Sequence, residues 1–166
     1  MIKAIMACDA QGGIAKNGTL PWDKNPKDLA WFKKQTAGSV VIMGSKTWDD
    51  PVMPSPLPGR INVVVTSDPE EHPGADHYIS ENLLEGIEDI ANKYNKKDIW
   101  IIGGANLFTQ ATPVISEVYL TIMDDQYDCD TWINLKEIKS IFSNEMASQH
   151  DEGMTVMILE RFNADK

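Results

Sequence analysis

An acid on a predicted helix is the first residue whose surroundings could support chemistry. Asn25-Pro26-Lys27-Asp28 has the composition of a helix start, with asparagine as cap, proline at the first helical position and an acid in the first turn. Trp31 and Phe32 follow three and four residues later, so a helix places them on the same face as the Asp28 carboxylate. Judged by position alone, such an acid more often complements the helix dipole.

The scarcity of arginine is the second feature that bears on chemistry. Only Arg60 and Arg161 occur in the chain. The guanidinium group suits bidentate recognition of a carboxylate, which makes each copy a candidate binding residue. Arg60 follows a Pro-Gly turn. We expect Arg161, in the apolar run 154–162, to be a solvated strand residue.

Two glycine-bearing segments invite comparison with phosphate-binding motifs. Gly44-Ser45-Lys46-Thr47 lacks the glycine directly before lysine that a phosphate-binding loop requires. Gly103-Gly104-Ala105-Asn106 follows an apolar run, but its spacing is not that of the dinucleotide fingerprint. Glycines at a helix start still allow close approach of a pyrophosphate, so the second segment remains a weak candidate.

Composition restricts the class of partner. The net charge of −10 argues against nucleic acid or an anionic membrane as a partner, since basic surfaces bind both. No run approaches the roughly 20 apolar residues of a membrane helix, and the N-terminus reads as mature structure. Cys8 and Cys129 are far apart, and the three histidines lack metal-ligand spacing. We therefore expect a reduced cytoplasmic protein without a metal.

The elements that must position these residues indicate an α/β domain. At 166 residues with 42% apolar content, the chain fits a single domain, 1–166, with its own core. Helices are predicted from Pro26 to about Gln35, from a capping box at Asn82 and Glu85 through Tyr94, and after Gly104. Strands are predicted at residues 2–8, 40–43, 61–66, 77–80, 99–102, 118–122 and 154–162. This alternation predicts a largely parallel sheet in which the terminal strands pair antiparallel.

Several segments together resemble bacterial-type dihydrofolate reductase over residues 2–162. They occur in the family's order and with near-family spacing. The segments are Leu20-Pro21-Trp22, the run 26–33, the run 41–48, Leu57-Pro58-Gly59-Arg60, Ile101-Ile102-Gly103-Gly104, Tyr119-Leu120-Thr121 and Asp130-Thr131. The resemblance implies a mixed sheet of about eight strands, mostly parallel with an antiparallel C-terminal strand, flanked by about four helices.

The same resemblance implies a reaction. Hydride passes from NADPH to C6 of 7,8-dihydrofolate and N5 gains a proton, which gives tetrahydrofolate for one-carbon and thymidylate metabolism. Asp28 would bond the pterin's amino and ring N–H groups, with water as the proton donor, and Thr121 would bridge carboxylate and pterin. The implied catalytic set is Leu20, Trp22, Asp28 and Thr121.

Substrate contacts implied by the resemblance surround Asp28. Leu29 and Phe32 would face Ile5 and Leu57 across the folate, while ordinary core packing stays an even alternative for Leu29 and Leu57. Arg60 would clamp the glutamate carboxylate, with Lys33 assisting. The implied substrate set is Ile5, Asp28, Leu29, Phe32, Lys33, Leu57, Arg60, Ile102 and Thr121. Antifolate inhibitors are expected ligands, and a monomer is the expected state.

The implied cofactor site lies at the glycine-bearing segments. Ala7, Ile14 and Ile102 would surround the nicotinamide, and residues 103–108 would donate to the pyrophosphate across a cis Gly-Gly bond. Residues 12–22 resemble a mobile loop that closes over the nicotinamide and excludes water, with Asp130 as its partner. The implied cofactor set is Ala7, Ile14, Asn17, Gly18, Gly44, Ser45, Lys46, Thr47, Thr66, Ser67, Ile102, Gly103, Gly104, Ala105, Asn106, Leu107, Phe108 and Thr131.

The chain departs from the family pattern at several places. Ser45 and Asn106 stand where arginines commonly grip the cofactor's 2′-phosphate, and Asp68 adds a negative charge nearby, so we expect a weaker preference for NADPH over NADH. Cys129 replaces a loop glycine, and Leu20 replaces a methionine. Residues 51–56 carry an apparent insertion.

Two other functions fit parts of the pattern. A reductase of the same fold in riboflavin biosynthesis would share the cofactor half, but we would not expect it to have Asp28 with Phe32 or the Arg60 clamp. A catalytically silent nucleotide-binding protein would bind cofactor without turnover.

Overall fold

The computed structural model describes residues 1–23 and 25–162. Its strands are β1 (Ile2–Cys8), β2 (Gly13–Ala15), β3 (Val40–Gly44), β4 (Ile61–Val65), β5 (His77–Ile79), β6 (Ile99–Ile101), β7 (Glu117–Met123), β8 (Thr131–Trp132), β9 (Asn144–Asp151) and β10 (Met154–Glu160). Its helices are α1 (Pro26–Thr36), α2 (Ser45–Trp48), α3 (Leu83–Lys93), α4 (Ala105–Ala111) and α5 (Leu135–Ile141). None of the helices in these two ranges is both long and apolar enough to cross a membrane.

One eight-stranded sheet forms the centre, in the order β5-β4-β3-β6-β1-β7-β10-β9. The strands from β5 to β7 pair in parallel, and β10 pairs antiparallel with both β7 and β9. This confirms the predicted α/β fold, although five helices rather than four flank the sheet. Strands β2 and β8 form a separate two-stranded sheet.

Alternation along β1 divides the interior into two layers. Met6 and Cys8 belong to the larger core, which also contains side chains of α3, α4 and α5. Ile5 belongs to the opposite core with Trp48 of α2, and Phe32 of α1 packs against it. Helix α1 therefore lies over the face of the sheet away from α3, α4 and α5.

Local sequence chemistry explains α1 well. The Asn25 side chain accepts from the backbone N–H groups of Lys27 and Asp28, at 3.1 and 3.2 Å, as expected of a helix cap. The capping box predicted at Asn82 is wrong. Asn82 has a left-handed backbone with φ of 51°, and its side chain makes no capping hydrogen bond.

The predicted solvent exposure of Arg161 is also wrong. Its guanidinium donates from Nε to the Ile115 carbonyl at 3.0 Å and from Nη2 to the Thr112 carbonyl. The same group lies 5.0 Å from the centre of the Phe142 ring. Arg161 thus ties the end of β10 to the turn before β7, so it is an unsuitable candidate for ligand binding.

Candidate active site

Asp28 lies where α1 crosses β7. Trp31 stacks on Tyr119 with ring centres 6.1 Å apart and planes inclined by 28°. Tyr119 and Thr121 are two residues apart on β7 and so point to the same face. One turn of α1 back from Trp31, Asp28 therefore lies near Thr121, whose side chain lowers the pKa of the carboxyl group. The two residues are close enough to interact.

The environment of Asp28 perturbs its ionisation. Burial raises the pKa of the carboxyl above its ordinary value, and the hydrogen bond from buried Thr121 offsets only part of that effect. A carboxylate with a raised pKa in a cleft is a frequent sign of a functional acid.

Apolar side chains form one wall beside Asp28. Ile5 and Leu57 are buried, and Phe32 packs against the core cluster they belong to. Leu29 is 36% exposed, on the first turns of α1, where a ligand can cover it. Ile102 follows β6 and packs against the same cluster. The structure therefore brings Ile5, Phe32, Leu57 and Ile102 together in one apolar cluster, against the helix that carries Asp28 and Leu29.

Arg60 lies at the far end of this wall. Its guanidinium donates from Nε to the Pro58 carbonyl at 3.0 Å and from Nη1 to Thr36 Oγ1 at 3.1 Å. It also lies 5.9 Å from the centre of the Phe32 ring. Partial burial lowers the pKa of Arg60. These contacts orient the guanidinium beside the C-terminal half of α1. Lys33 is exposed on the same helix.

Asn62 organises the loop that carries Leu57 and Arg60, and our sequence analysis missed it. Its side chain accepts from Leu57 N–H at 2.8 Å and donates to the Leu57 and Arg60 carbonyls, both at 3.0 Å. Asn62 is only 1% exposed. The available signal was a single polar residue inside the apolar run of β4, which is costly to bury unless fully hydrogen-bonded.

The two glycine segments meet at the carboxyl ends of adjacent parallel strands. Gly44 N–H donates to the Gly103 carbonyl at 2.9 Å, and the Gly103–Gly104 bond is cis, as the resemblance implied. A Cβ on Gly104 would meet no atom within 4 Å, so the backbone faces open space. Helices α2 and α4 begin here without a side-chain cap. This backbone cradle fits a pyrophosphate.

The structure leaves fewer N–H groups free to bind the pyrophosphate than the resemblance implied. Phe108 N–H already donates to the Gly104 carbonyl at 3.0 Å, and the Phe108 side chain is buried in the core. The prediction that the Phe108 N–H group donates to the pyrophosphate is therefore wrong. Leu107 is likewise buried, Asn106 is exposed, and Ala105 is partly buried.

Two hydroxyl groups that the resemblance assigned to the cofactor already contact Asp68. Thr66 Oγ1 accepts from Asp68 N–H at 3.1 Å, and Ser67 Oγ lies 3.5 Å from Asp68 Oδ2. Asp68 therefore uses the Ser67 hydroxyl as a donor and the Thr66 hydroxyl only as an acceptor. Ser45 and Thr47 are partly buried on α2, whereas Lys46 is exposed.

Residues 12–22, hereafter the closing segment, lie against residues 124–130, hereafter the facing loop. Asn17 N–H donates to Asp130 Oδ2 at 2.9 Å, and Asp130 N–H donates to the Ala15 carbonyl at 2.9 Å. Thr131 Oγ1 donates to Asp130 Oδ1 at 3.0 Å. The predicted contact between Asp130 and the closing segment is present.

The ends of the closing segment differ in burial. Trp22 is 8% exposed and packs with Met123, Met154 and Ala7. Leu20 is 39% exposed, and Gly18 has a φ of 80° in the turn beside Asn17. Ile14 packs against the larger core.

A family model and individual relatives indicate the same family for this chain. The family model described as dihydrofolate reductase matches residues 1–161. The type 8 dihydrofolate reductase of Escherichia coli is 35% identical over 154 residues, covering 90% of each chain. The enzyme of Bacillus subtilis strain 168 is 38% identical over 130 residues, covering 78% of this chain and 73% of that one.

The chain belongs to the dihydrofolate reductase family. A solved dihydrofolate reductase from Enterococcus faecalis, complexed with NADP(H) and RAB-propyl, superposes with a TM-score of 0.80 at 26% identity. The match covers 98% of this chain and 97% of that one. The chain is thus an NADPH-dependent oxidoreductase that acts on dihydrofolate.

Replacing Asp28 should affect stability, because burial disfavours its charged form. The folded-state pKa of Asp28 is raised, so folding is penalised above that pKa, and the penalty is lost as the pH falls towards the ordinary carboxyl pKa of 3.8. We expect Asp28→Asn to raise the thermal unfolding midpoint at pH 7 by about 2–4 °C, the effect of ~1 kcal/mol in a chain of this size. Calorimetry from neutral to acid pH measures this difference, which should shrink on acidification.

Asp130 provides a control of opposite sign. Hydrogen bonds, first from Asn17 N–H and then from the Thr131 hydroxyl, lower the pKa of its exposed carboxyl. Asp130→Asn should therefore lower the unfolding midpoint at neutral pH, and this loss should fade as the pH falls through the lowered pKa of Asp130. An Asp28→Asn midpoint below that of the unaltered chain at neutral pH would contradict the desolvation argument.

Proposed function

We propose that this chain reduces 7,8-dihydrofolate to tetrahydrofolate with NADPH, using Asp28 as the acid that holds the pterin. Bound NADPH supplies the hydride, which adds to C6 while N5 gains a proton from water. The observation that carries the proposal is the partly buried carboxyl of Asp28, which has a raised pKa, lies near Thr121 and is carried by a helix that packs on an apolar cluster.

Asp28 accepts hydrogen bonds from the amino and ring N–H groups of the pterin. Low local polarity strengthens these bonds and the attraction between the carboxylate and the cationic, protonated pterin. Thr121, which lies near the carboxyl and lowers its pKa, orients it by a hydrogen bond. Leu29, Phe32, Ile5 and Leu57 exclude water from the ring.

The residues that bind the substrate tail and those that bind the cofactor belong to different elements. Arg60, oriented by Pro58 and Thr36, pairs with the glutamate carboxylate of the substrate, and Lys33 adds positive charge. On the cofactor side, the cradle of Gly44, Gly103 and Gly104 holds the pyrophosphate. Ala105, Asn106 and Leu107 supply the first N–H groups of α4, and Ser45, Lys46, Thr47, Thr66 and Ser67 lie on the adenosine side. Ala7, Ile14 and Ile102 contact the nicotinamide.

The closing segment shields the site. Leu20 and Trp22 lie at its end, and Asn17 and Gly18 form the turn that reaches Asp130. Thr131 holds the Asp130 carboxyl from the other side. Contact between segment and loop keeps water away during hydride transfer.

The chain acts as a monomeric single domain, 1–166, in the cytoplasm. In support of the cytoplasmic location, both cysteines are free and buried, which suits a reducing compartment. Light scattering of the purified protein tests the monomer: a mass near 18.5 kDa is expected, and twice that mass contradicts it.

A spectrophotometric assay tests the function and the cofactor preference together. We expect NADPH absorbance to fall only when dihydrofolate is added, with stoichiometric formation of tetrahydrofolate. We expect the preference for NADPH over NADH in kcat/KM to be about 10–100-fold smaller than in a relative with arginine at these positions, because Ser45 and Asn106 lack the charge-assisted contact worth ~1.5–3 kcal/mol. Cofactor binding without any turnover would instead favour a catalytically silent protein.

A further inference from the structure

Asp9 is a buried charge that the mechanism above does not use. It directly follows β1 and is 0% exposed. A buried carboxylate is costly unless hydrogen bonds replace its hydration. The partners of Asp9 are therefore a guide to what the residue does.

The two carboxylate oxygens of Asp9 serve different segments. Oδ1 accepts from the N–H groups of Gln11 and Gly13, each at 2.8 Å, at the start of the closing segment. Oδ2 accepts from Tyr127 N–H at 2.9 Å and lies 3.5 Å from Cys129 Sγ, both in the facing loop. One buried carboxylate thus joins the two segments.

Neighbouring contacts extend this junction to the Asn17–Asp130 contact. Strands β2 and β8 pair between the two sites, with Gly13 opposite Trp132 and Ala15 opposite Thr131. A displacement at Gly13 or Cys129 therefore shifts the pairing on which Asn17 and Asp130 depend. Burial opposes ionisation of Asp9, yet the three backbone hydrogen bonds outweigh it and lower its pKa, so the carboxylate is charged at neutral pH.

We propose that Asp9 is a positioning residue for hydride transfer, acting through the contact between Asn17 and Asp130. Its carboxylate sets the register of the closing segment against the facing loop. This inference rests on the proposed function for its kinetic test, whereas its structural test does not.

The kinetic test uses Asp9→Asn, which keeps the size of the side chain but turns an N–H₂ group towards Tyr127 N–H or Gln11 N–H. We expect the single-turnover rate of hydride transfer to fall about tenfold, with the Kd for dihydrofolate changed less than about twofold. Asp98→Asn, at a carboxyl paired with Lys3, is the control and should leave the rate unchanged.

A double-mutant cycle separates positioning from general destabilisation. If Asp9 acts through Asp130, then Asp9→Asn combined with Asp130→Ala should be no more than about twofold slower than the slower single variant. Multiplicative losses would show independent effects and overturn the proposal.

Gly13 offers a second test that leaves Asp9 in place. A Cβ there would lie 2.3 Å from Cys129 Sγ and 3.0 Å from Asp9 Oδ2. We expect Gly13→Ala to slow hydride transfer and Cys129→Gly to restore most of the rate in the double variant. An unaffected Gly13→Ala rate, or an absence of rescue, contradicts the proposal.

Amide hydrogen exchange of the ligand-free protein gives the structural test. Faster exchange at Asn17 N–H in Asp9→Asn, with unchanged exchange in β6 and β7, supports the proposal. Equal protection at Asn17 in both proteins overturns it. Because exchange needs no substrate, failure of the unaltered chain to reduce dihydrofolate would refute the proposed function separately.

Discussion

Asp28→Asn is expected to slow hydride transfer at least ~100-fold at neutral pH, the cost of removing one preorganised electrostatic contact. The amide keeps the shape of the side chain and can still accept from Thr121, but it cannot stabilise a cationic pterin. NADPH affinity should change less than about twofold, because the glycine cradle lies on other elements. Single-turnover kinetics and cofactor titration measure both quantities.

A variant of the neighbouring residue provides the comparison for this result. Leu29→Ala, one residue away on α1, is expected to weaken folate binding through lost apolar contact while retaining most of the rate at saturating substrate. If Asp28→Asn keeps near-normal dihydrofolate reduction while folded, the assigned role is wrong. The predicted rise in its unfolding midpoint separates loss of chemistry from loss of structure.

Arg60→Ala should weaken dihydrofolate binding by about 10–100-fold, the value of a charge-assisted contact of ~1.5–3 kcal/mol. A dihydropterin without the glutamate tail should be bound and reduced almost equally by both proteins. Arg60→Lys should lie between them, since lysine keeps the charge but loses the planar fork. Titration with the two substrates gives the ratio directly.

The other arginine is a matched control. Arg161 bonds the Ile115 and Thr112 carbonyls, so Arg161→Ala should lower thermal stability without changing the ratio of the two substrates. Equal losses of affinity for both substrates in Arg60→Ala would contradict the carboxylate clamp.

Features governed by short-range chemistry were predictable. Helix α1 begins at Pro26 because Asn25 caps it, and β1 spans Ile2–Cys8 because its apolar residues bury both faces. The resemblance also predicted that Asp28, Thr121 and Arg60 belong to one site. It did so through the order of the segments, since no local pattern connects residues so distant in sequence.

Features that depend on distant partners were missed or wrong. Strands β2 and β8 have only three and two residues and exist through pairing with each other. Strand β9 is exposed at every position and so carries no apolar alternation. Asp9 was missed because its partners are mostly backbone N–H groups, which residue types do not reveal.

Transfer of deuterium from 4-deuterated NADPH is the most direct measurement of the chemistry assigned to this cleft. With the unaltered chain, we expect the label at C6 of tetrahydrofolate, and Asp28→Asn should form the same labelled product at least ~100-fold more slowly. Label elsewhere in the pterin, or equal rates for the two proteins at neutral pH, would contradict the assignment of Asp28 as the acid that holds the pterin for reduction.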